Sequence, residues 1–189
     1  LDSIHLDTLK NVEVFFGDVK DLNCVKEAMK DCTHVFHLAA LADIVPSINN
    51  PKLYFSTNVT GTLNILNACV KHNVKKVVYA ASASSYGIPD KFPTSENSKI
   101  SLMYPYALTK KLGEDLLLHW GEVYNLNVTS LRLFNVFGMR SRTSGAYGAV
   151  FGVFLAQKLS NKPLTIVGDG TQTRDFTYAV SYTHLRAHE

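Results

Sequence analysis

The sequence predicts an α/β fold in which the strands of a parallel sheet alternate with amphipathic helices. Three observations predict it. Short apolar runs rich in valine, such as residues 74–81, alternate with longer segments of helical periodicity. Ser82 stands just past one such run, and open parallel sheets bind ligands beyond the carboxyl ends of their strands. Hydrophobic residues make up 46% of the 189, enough for a sizeable core in one compact domain.

In chain order, residues 12–16 read as a strand and 21–30 as a helix with Asp18 or Asp21 near its start. A strand is expected at 33–39, a turn or broken helix at 46–51, and a long helix at 52–71. The valine-rich strand at 74–81 leads into a loop over 86–101, where Gly87, Pro89 and Pro93 break regular structure. A second long helix is expected at 104–124, a strand at 128–134, and helix in the second half of 145–160. Residues 164–167 read as a short strand ending in the Gly168-Asp169-Gly170 turn.

Composition narrows the function. The net charge is +3 with acids and bases interspersed, which argues against a nucleic-acid groove or a polybasic membrane patch. The apolar runs are far shorter than a membrane span. Cys24, Cys32 and Cys69 lack paired spacing and read as reduced thiols of a cytoplasmic protein. The seven histidines show no metal-ligand pattern.

Tyr106 and Lys110 are four residues apart in Tyr-Ala-Leu-Thr-Lys, and Ser82 lies 24 residues upstream. A helix puts positions i and i+4 on one face. A lysine ammonium there can stabilise a tyrosinate, and a serine hydroxyl can bridge the tyrosine to a substrate hydroxyl. A free tyrosine ionises near ~10, so working near neutrality takes about 4 kcal/mol of help. Spacing alone is weak: with nine tyrosines, one chance Tyr-x-x-x-Lys is unremarkable. Ser84, two residues on, could share the site.

Other residues carry two readings each. Asp18 could accept from an adenine amine or cap the following helix. Asn58 could reach a cofactor ribose or bond a loop carbonyl. Arg174 suits a diphosphate or an ion pair with Asp175 or another carboxylate. Asn135 is a polar contact for a bound sugar nucleotide. His37 reads as a satisfied buried histidine.

Together, FFGDV, HVFHLAALADIVPSINNP, TNVTGTLNIL, VVYAASASSYG, YPYALTKKLGE, LRLFNVFG, GAYGAVFGVF and GDGTQTRDFTY resemble the extended short-chain dehydrogenase/reductase superfamily, in its nucleotide-sugar epimerase/dehydratase branch. The resemblance covers nearly all of residues 12–178. It implies a doubly wound, Rossmann-like parallel sheet, NAD as cofactor and a homodimer. It implies Tyr106 as catalytic base with Lys110 and Ser82. Asp18, Val19, Leu38, Ala39, Ala40, Ala42, Asn58 and Phe134 would line the NAD groove with Tyr106 and Lys110. Ser82, Ser84, Asn135, Ala149, Val150 and Arg174 would face a UDP-sugar substrate.

The subclass turns on the residues after Ser82. Dehydratases of this branch need an acid pair there, and decarboxylases a glutamate. This chain has Ala83 and Ser84, so AASASSYG is similar instead to 4-epimerases of UDP-hexoses and UDP-N-acetylhexosamines. The alternatives are a 4-reductase or dehydratase of the same branch, or a non-catalytic dinucleotide-binding relative.

The chain opens at Leu1, with no strand followed by a Gly-rich phosphate loop. It is expected to be part of a longer protein, lacking the first strand–helix–strand unit and most of a substrate lobe. Residues 1–180 are expected to hold the partial NAD-binding domain, and 181–189 a non-native tail. On its own the chain is expected to bind NAD poorly and to be inactive, because pyrophosphate is cradled by backbone amides of that first unit.

Overall fold

The structure, a computed structural model, describes residues 12–139, 150–166 and 168–179. Strands β1 (His34–His37), β2 (Lys76–Ser82) and β3 (Asn127–Leu133) form a parallel sheet in that order. The register sets Val35 beside Val77 and Ala81 beside Arg132. Consecutive parallel strands need long crossovers, and helices supply them here. The fold is therefore the expected Rossmann-like α/β class.

Helix α1 (Leu22–Ala28) is capped by Asp21, whose carboxylate accepts from the amides of Asn23 and Cys24. Asp18 is not the cap. Its carboxylate folds back on the Lys20 amide at 2.9 Å and pairs with the Lys20 ammonium at 3.2 Å.

After β1 comes α2 (Ile44–Asn49), a full helical turn where the sequence suggested a turn or broken helix. The long helix that follows has three parts: α3 (Pro51–Tyr54), one π-helical turn (Phe55–Thr60) and α4 (Gly61–Lys71). Asn50 caps it and Pro51 sits in its first turn, where the missing N–H costs nothing. Gly61 is needed for packing, because a Cβ there would lie 2.6 Å from Val19 Cγ2.

Helix α5 (Pro105–Tyr124) starts on Pro105 and stops at Asn125, which turns left-handed at φ 52°. Its inner face and that of α4 meet the sheet. Val77, Tyr79 and Ala81 alternate along β2 and pack with Leu66, Ala68, Cys69 and Leu117 in one core.

Beyond β3 a second, two-stranded parallel sheet joins β4 (Asn135–Phe137) to β5 (Phe176–Tyr178), with helix α6 (Val150–Leu159) between them in the chain. The sequence did not announce these strands. Each is three residues long, too short for a period to show, and each is made by pairing with a segment 41 residues away.

Two expected strands differ. Residues 12–16 form no ladder, and Phe16 is 83% exposed. The apolar pattern is that of a strand, but no described strand lies alongside to pair with it. Residues 164–166 likewise form no ladder, and 167 lies outside the described residues. The expected tail at 181–189 and the candidate Ala149 also lie outside them. Among the described residues, no helix is long and apolar enough to cross a membrane, and no cluster of three His, Cys, Asp or Glu could hold a metal.

Candidate active site

Ser82 is the last residue of β2, and a single 3₁₀ turn (Ala83–Tyr86) follows. Its Oγ accepts from the Ser84 amide at 3.2 Å and from the Ser84 hydroxyl at 2.8 Å. With both acceptor positions used, the Ser82 proton is left to point elsewhere. It faces Tyr106. Burial pushes the Tyr106 phenol above its ordinary range, the Ser82 hydrogen bond pulls it down, and Asp43 pushes it up. A donor that favours the tyrosinate is therefore already in place.

Tyr106 occupies the first turn of α5, and the helix start is held from outside. Ser47 of α2 is fully buried, and its Oγ accepts from the Tyr106 amide at 3.1 Å while donating to the Ile44 carbonyl at 2.6 Å. Tyr104, the N-cap residue, offers no side-chain hydrogen bond of its own. The amide left open at the helix start is thus closed by a different helix.

Lys110 is one turn further and 4% exposed. Its Nζ lies 4.3 Å from the centroid of the Tyr79 ring. Burial lowers its pKa to about 8. Spacing put Lys110 beside Tyr106; the structure adds an aromatic floor beneath its ammonium.

Asn58, in the π turn, takes the loop-carbonyl alternative. Its two N–H donors go to the Leu41 carbonyl and to Thr109 Oγ1, both at 3.0 Å, and its oxygen accepts from the Leu41 amide at 2.8 Å. Thr109 in turn donates to the Tyr106 carbonyl at 2.9 Å. Asn58 so joins the loop after β1 to the turn that bears Tyr106, and a π turn is a common way to aim one such side chain. That loop carries Leu38, Ala39, Ala40 and Ala42, and Leu38 is 67% exposed at the strand end.

His37 is buried, as expected. Its Nε2 donates to Thr62 Oγ1 at 2.8 Å, because the Thr62 proton is already given to the Asn58 carbonyl. Burial first, and the Lys110 charge second, lower its pKa to about 4.

Glu114, Arg132 and Tyr86 were not singled out in the sequence. Glu114 continues the Tyr106–Lys110 stripe by one more turn. Arg132 of β3 grips its carboxylate through Nε and Nη2, at 3.0 and 2.7 Å, and donates through Nη1 to the Tyr86 hydroxyl at 2.9 Å. The Glu114 hydrogen bonds are the main reason the guanidinium is held charged even more firmly than usual. The i, i+4, i+8 spacing of Tyr106, Lys110 and Glu114 was the available signal.

The substrate candidates, and Phe134 of the expected NAD groove, divide. Phe134 is half-exposed and stacks on Tyr86, ring centroids 6.3 Å apart. Asn135 donates to the Asp175 carbonyl at 3.0 Å, which brings it next to Arg174. Arg174 is exposed, and its Nη1 donates to the Thr173 carbonyl at 2.7 Å; it pairs with no carboxylate among the described residues. Val150 opens α6 on the surface. A cavity of about 410 Å³ lies beside Tyr86, under the loop that carries Lys91 and Lys99.

Comparison with known proteins gives the family and the fold. The chain matches the NAD dependent epimerase/dehydratase family over residues 2–185. It is 34% identical, over 94% of its length, to a putative UDP-glucose 4-epimerase of Methanocaldococcus jannaschii, and spans 60% of that relative. It superposes with a TM-score of 0.85 on the UDP-N-acetylglucosamine 4-epimerase of Methanobrevibacter ruminantium solved with UDP-N-acetylmuramic acid, at 34% identity, covering 94% of this chain and 59% of that one. The UDP-glucose 4-epimerase of Thermus thermophilus, solved with NAD, also gives a TM-score of 0.85, at 32% identity, with 99% of this chain and 64% of that one covered. This chain belongs to the NAD dependent epimerase/dehydratase family.

Proposed function

We propose that this chain carries the catalytic groups of an NAD-dependent UDP-sugar 4-epimerase, acting on UDP-glucose and UDP-galactose or on their N-acetyl forms. One observation carries the reading: a Ser82 hydroxyl, oriented by Ser84, faces the half-buried Tyr106 phenol, and no acid stands at 83 or 84.

The residues present fit the cofactor. Lys110 is a buried cation that pairs with no carboxylate among the described residues, which suits hydroxyls of a bound ribose. Leu38, Ala39, Ala40 and Ala42 lie in the loop after β1 that Asn58 holds through Leu41, and in this reading they line the NAD groove with Asp18, Val19 and Phe134. Bound NAD would supply the hydride acceptor and donor for sugar C4.

Tyr106 takes the proton of the 4-hydroxyl, and the Ser82 proton, which otherwise points to Tyr106, is the donor that would hold that hydroxyl in line. Lys110 lowers the cost of the tyrosinate by its charge. Once the 4-keto sugar has turned over in the pocket, Tyr106 returns the proton on reduction of the other face. Such a turn needs a nucleotide anchor that stays fixed. Arg174, two residues before β5, and Asn135, which opens β4 and bonds the Asp175 carbonyl, would give one, and Ala149 and Val150 are further substrate contacts in this reading. A 4,6-elimination would need an acid where Ala83 and Ser84 stand, which argues against the dehydratase alternative.

The test is to incubate the full-length protein separately with each UDP-sugar and follow its C4 epimer. Interconversion to a fixed equilibrium ratio is expected. A stable keto product without interconversion would sink the proposal.

A further inference from the structure

A buried ammonium needs something to replace its water. For Lys110, no Asp or Glu among the described residues does so. What faces it is the Tyr79 ring, with Nζ 4.3 Å from the centroid, well inside the ~6 Å reach of a cation–π contact.

The ring is held from three sides. Tyr79 lies in the middle of β2 and is 1% exposed. Its hydroxyl donates to the Lys110 carbonyl at 3.4 Å. That hydroxyl fills the gap left by Gly113, where any Cβ would collide with it. His37 packs against the ring, with centroids 5.3 Å apart and planes tilted by 40°. The other titratable groups nearby are Tyr106, one turn back on α5, and Glu114, one turn on and engaged by Arg132.

We propose that Tyr79 is a positioning residue for the epimerase reaction: its ring face holds the Lys110 ammonium beside Tyr106, and its hydroxyl fixes the helical turn that bears it. The inference rests on the reading of the reaction given above. The quadrupole of an aromatic face attracts the charged amine and not the neutral one. It therefore opposes the burial that favours neutral lysine, and it keeps a charge where a tyrosinate needs one. In sequence Tyr79 looks like core, inward-facing between Val77 and Ala81; only its partner on another helix reveals the second role.

The test varies the ring without varying its size. In the full-length protein, Tyr79 is replaced by phenylalanine, by mono- and trifluorinated phenylalanine, and by leucine. Two readouts are followed: the titration of the Lys110 ammonium by NMR with ¹⁵N-lysine, without cofactor, and the pH profile of turnover. Tyr79→Phe keeps the ring face but loses the bond to the Lys110 carbonyl, so the Lys110 midpoint should stay close to the parent's while turnover falls by about threefold. Fluorination withdraws charge from the ring face, so the Lys110 midpoint should fall stepwise, and the basic limb of turnover should move to lower pH. With the trifluoro ring, turnover should fall by about tenfold, in keeping with a desolvated cation–π contact. Tyr79→Leu should fall furthest; if it does not fold, the fluorinated series still decides.

A purely structural role would change the melting temperature without ordering the Lys110 midpoints by fluorine content. Unchanged Lys110 titration and pH profile across folded fluorinated variants would overturn the inference. A parent protein without 4-epimerase turnover overturns the reading of the reaction instead, whatever the Lys110 midpoints do.

Discussion

At the residue scale the proposed chemistry rests on which proton points where. Ser82 Oγ accepts twice from Ser84, so its own hydrogen is free for Tyr106. Tyr106 is half-buried, and that burial by itself disfavours the tyrosinate. Ser82 opposes this with its hydrogen bond, and in the proposed reaction the Lys110 charge would oppose it further. Tyr106→Phe removes the proton acceptor and leaves the ring, so the fold should be kept. Turnover with UDP-sugars should drop by about 10³, within the range for losing a placed acid–base group. Ser82→Ala should cost less, about 10², because the phenol remains. Progress curves at substrate saturation, beside thermal melts of each variant, check this. Turnover of Tyr106→Phe within threefold of the parent would remove Tyr106 from the proton step. A non-catalytic dinucleotide-binding relative would show no turnover to lose.

At the element scale, the site is an agreement among separate pieces of chain. Helix α5 is tied to α2 through Ser47, to the π turn through Asn58 and Thr109, and to β3 through Arg132 and Glu114. Glu114 is 4% exposed in its side chain and Arg132 22%. Removing one partner of so buried a pair leaves the other charge without its mate. Arg132→Ala should therefore lower stability by about 3 kcal/mol. Ser47→Ala, which opens the outside cap of α5, should cost about 1 kcal/mol. Urea unfolding measures both, and equal losses for the two would contradict the ranking. These ties also explain what the sequence could tell. The helices and the inner strands were legible because their periods run through many residues: 74–81 for β2, 104–124 for α5. Ser82, Tyr106 and Lys110 were legible because they stand at strand ends or at helical spacing. Ser47, Thr109, Tyr79 and Arg132 were not, since each acts through a partner far along the chain. Asn58 was read as either of two things because a single amide fits both. Strand 12–16 was misjudged for the opposite reason: its pattern is right, but a strand exists only where another pairs with it.

At the scale of the whole molecule, one buried network should make stability depend on pH. His37 lies at the end of a chain of hydrogen bonds through Thr62 to Asn58, and it carries no charge in the folded state. Its folded pKa is lowered from 6.5 to about 4, by burial first and then by the Lys110 charge. Because the folded value is depressed, the unfolded chain binds the extra proton between those two values. Stability from this residue is thus fully present above pH 6.5, falls as pH drops below it, and is exhausted near 4. The loss across that window should be on the order of 3 kcal/mol. Asp18 and Asp169 do not blur it, since their pKa values are lowered from 3.8 and their contribution is lost below the window. His37→Gln keeps a donor for Thr62 and has nothing to titrate. Urea midpoints of parent and variant, taken in half-unit steps from pH 4 to 7.5, should therefore converge toward acid and separate toward neutrality. Parallel curves would mean that His37 is no more buried from protons than a surface histidine, and that the Thr62–Asn58 network does not hold it.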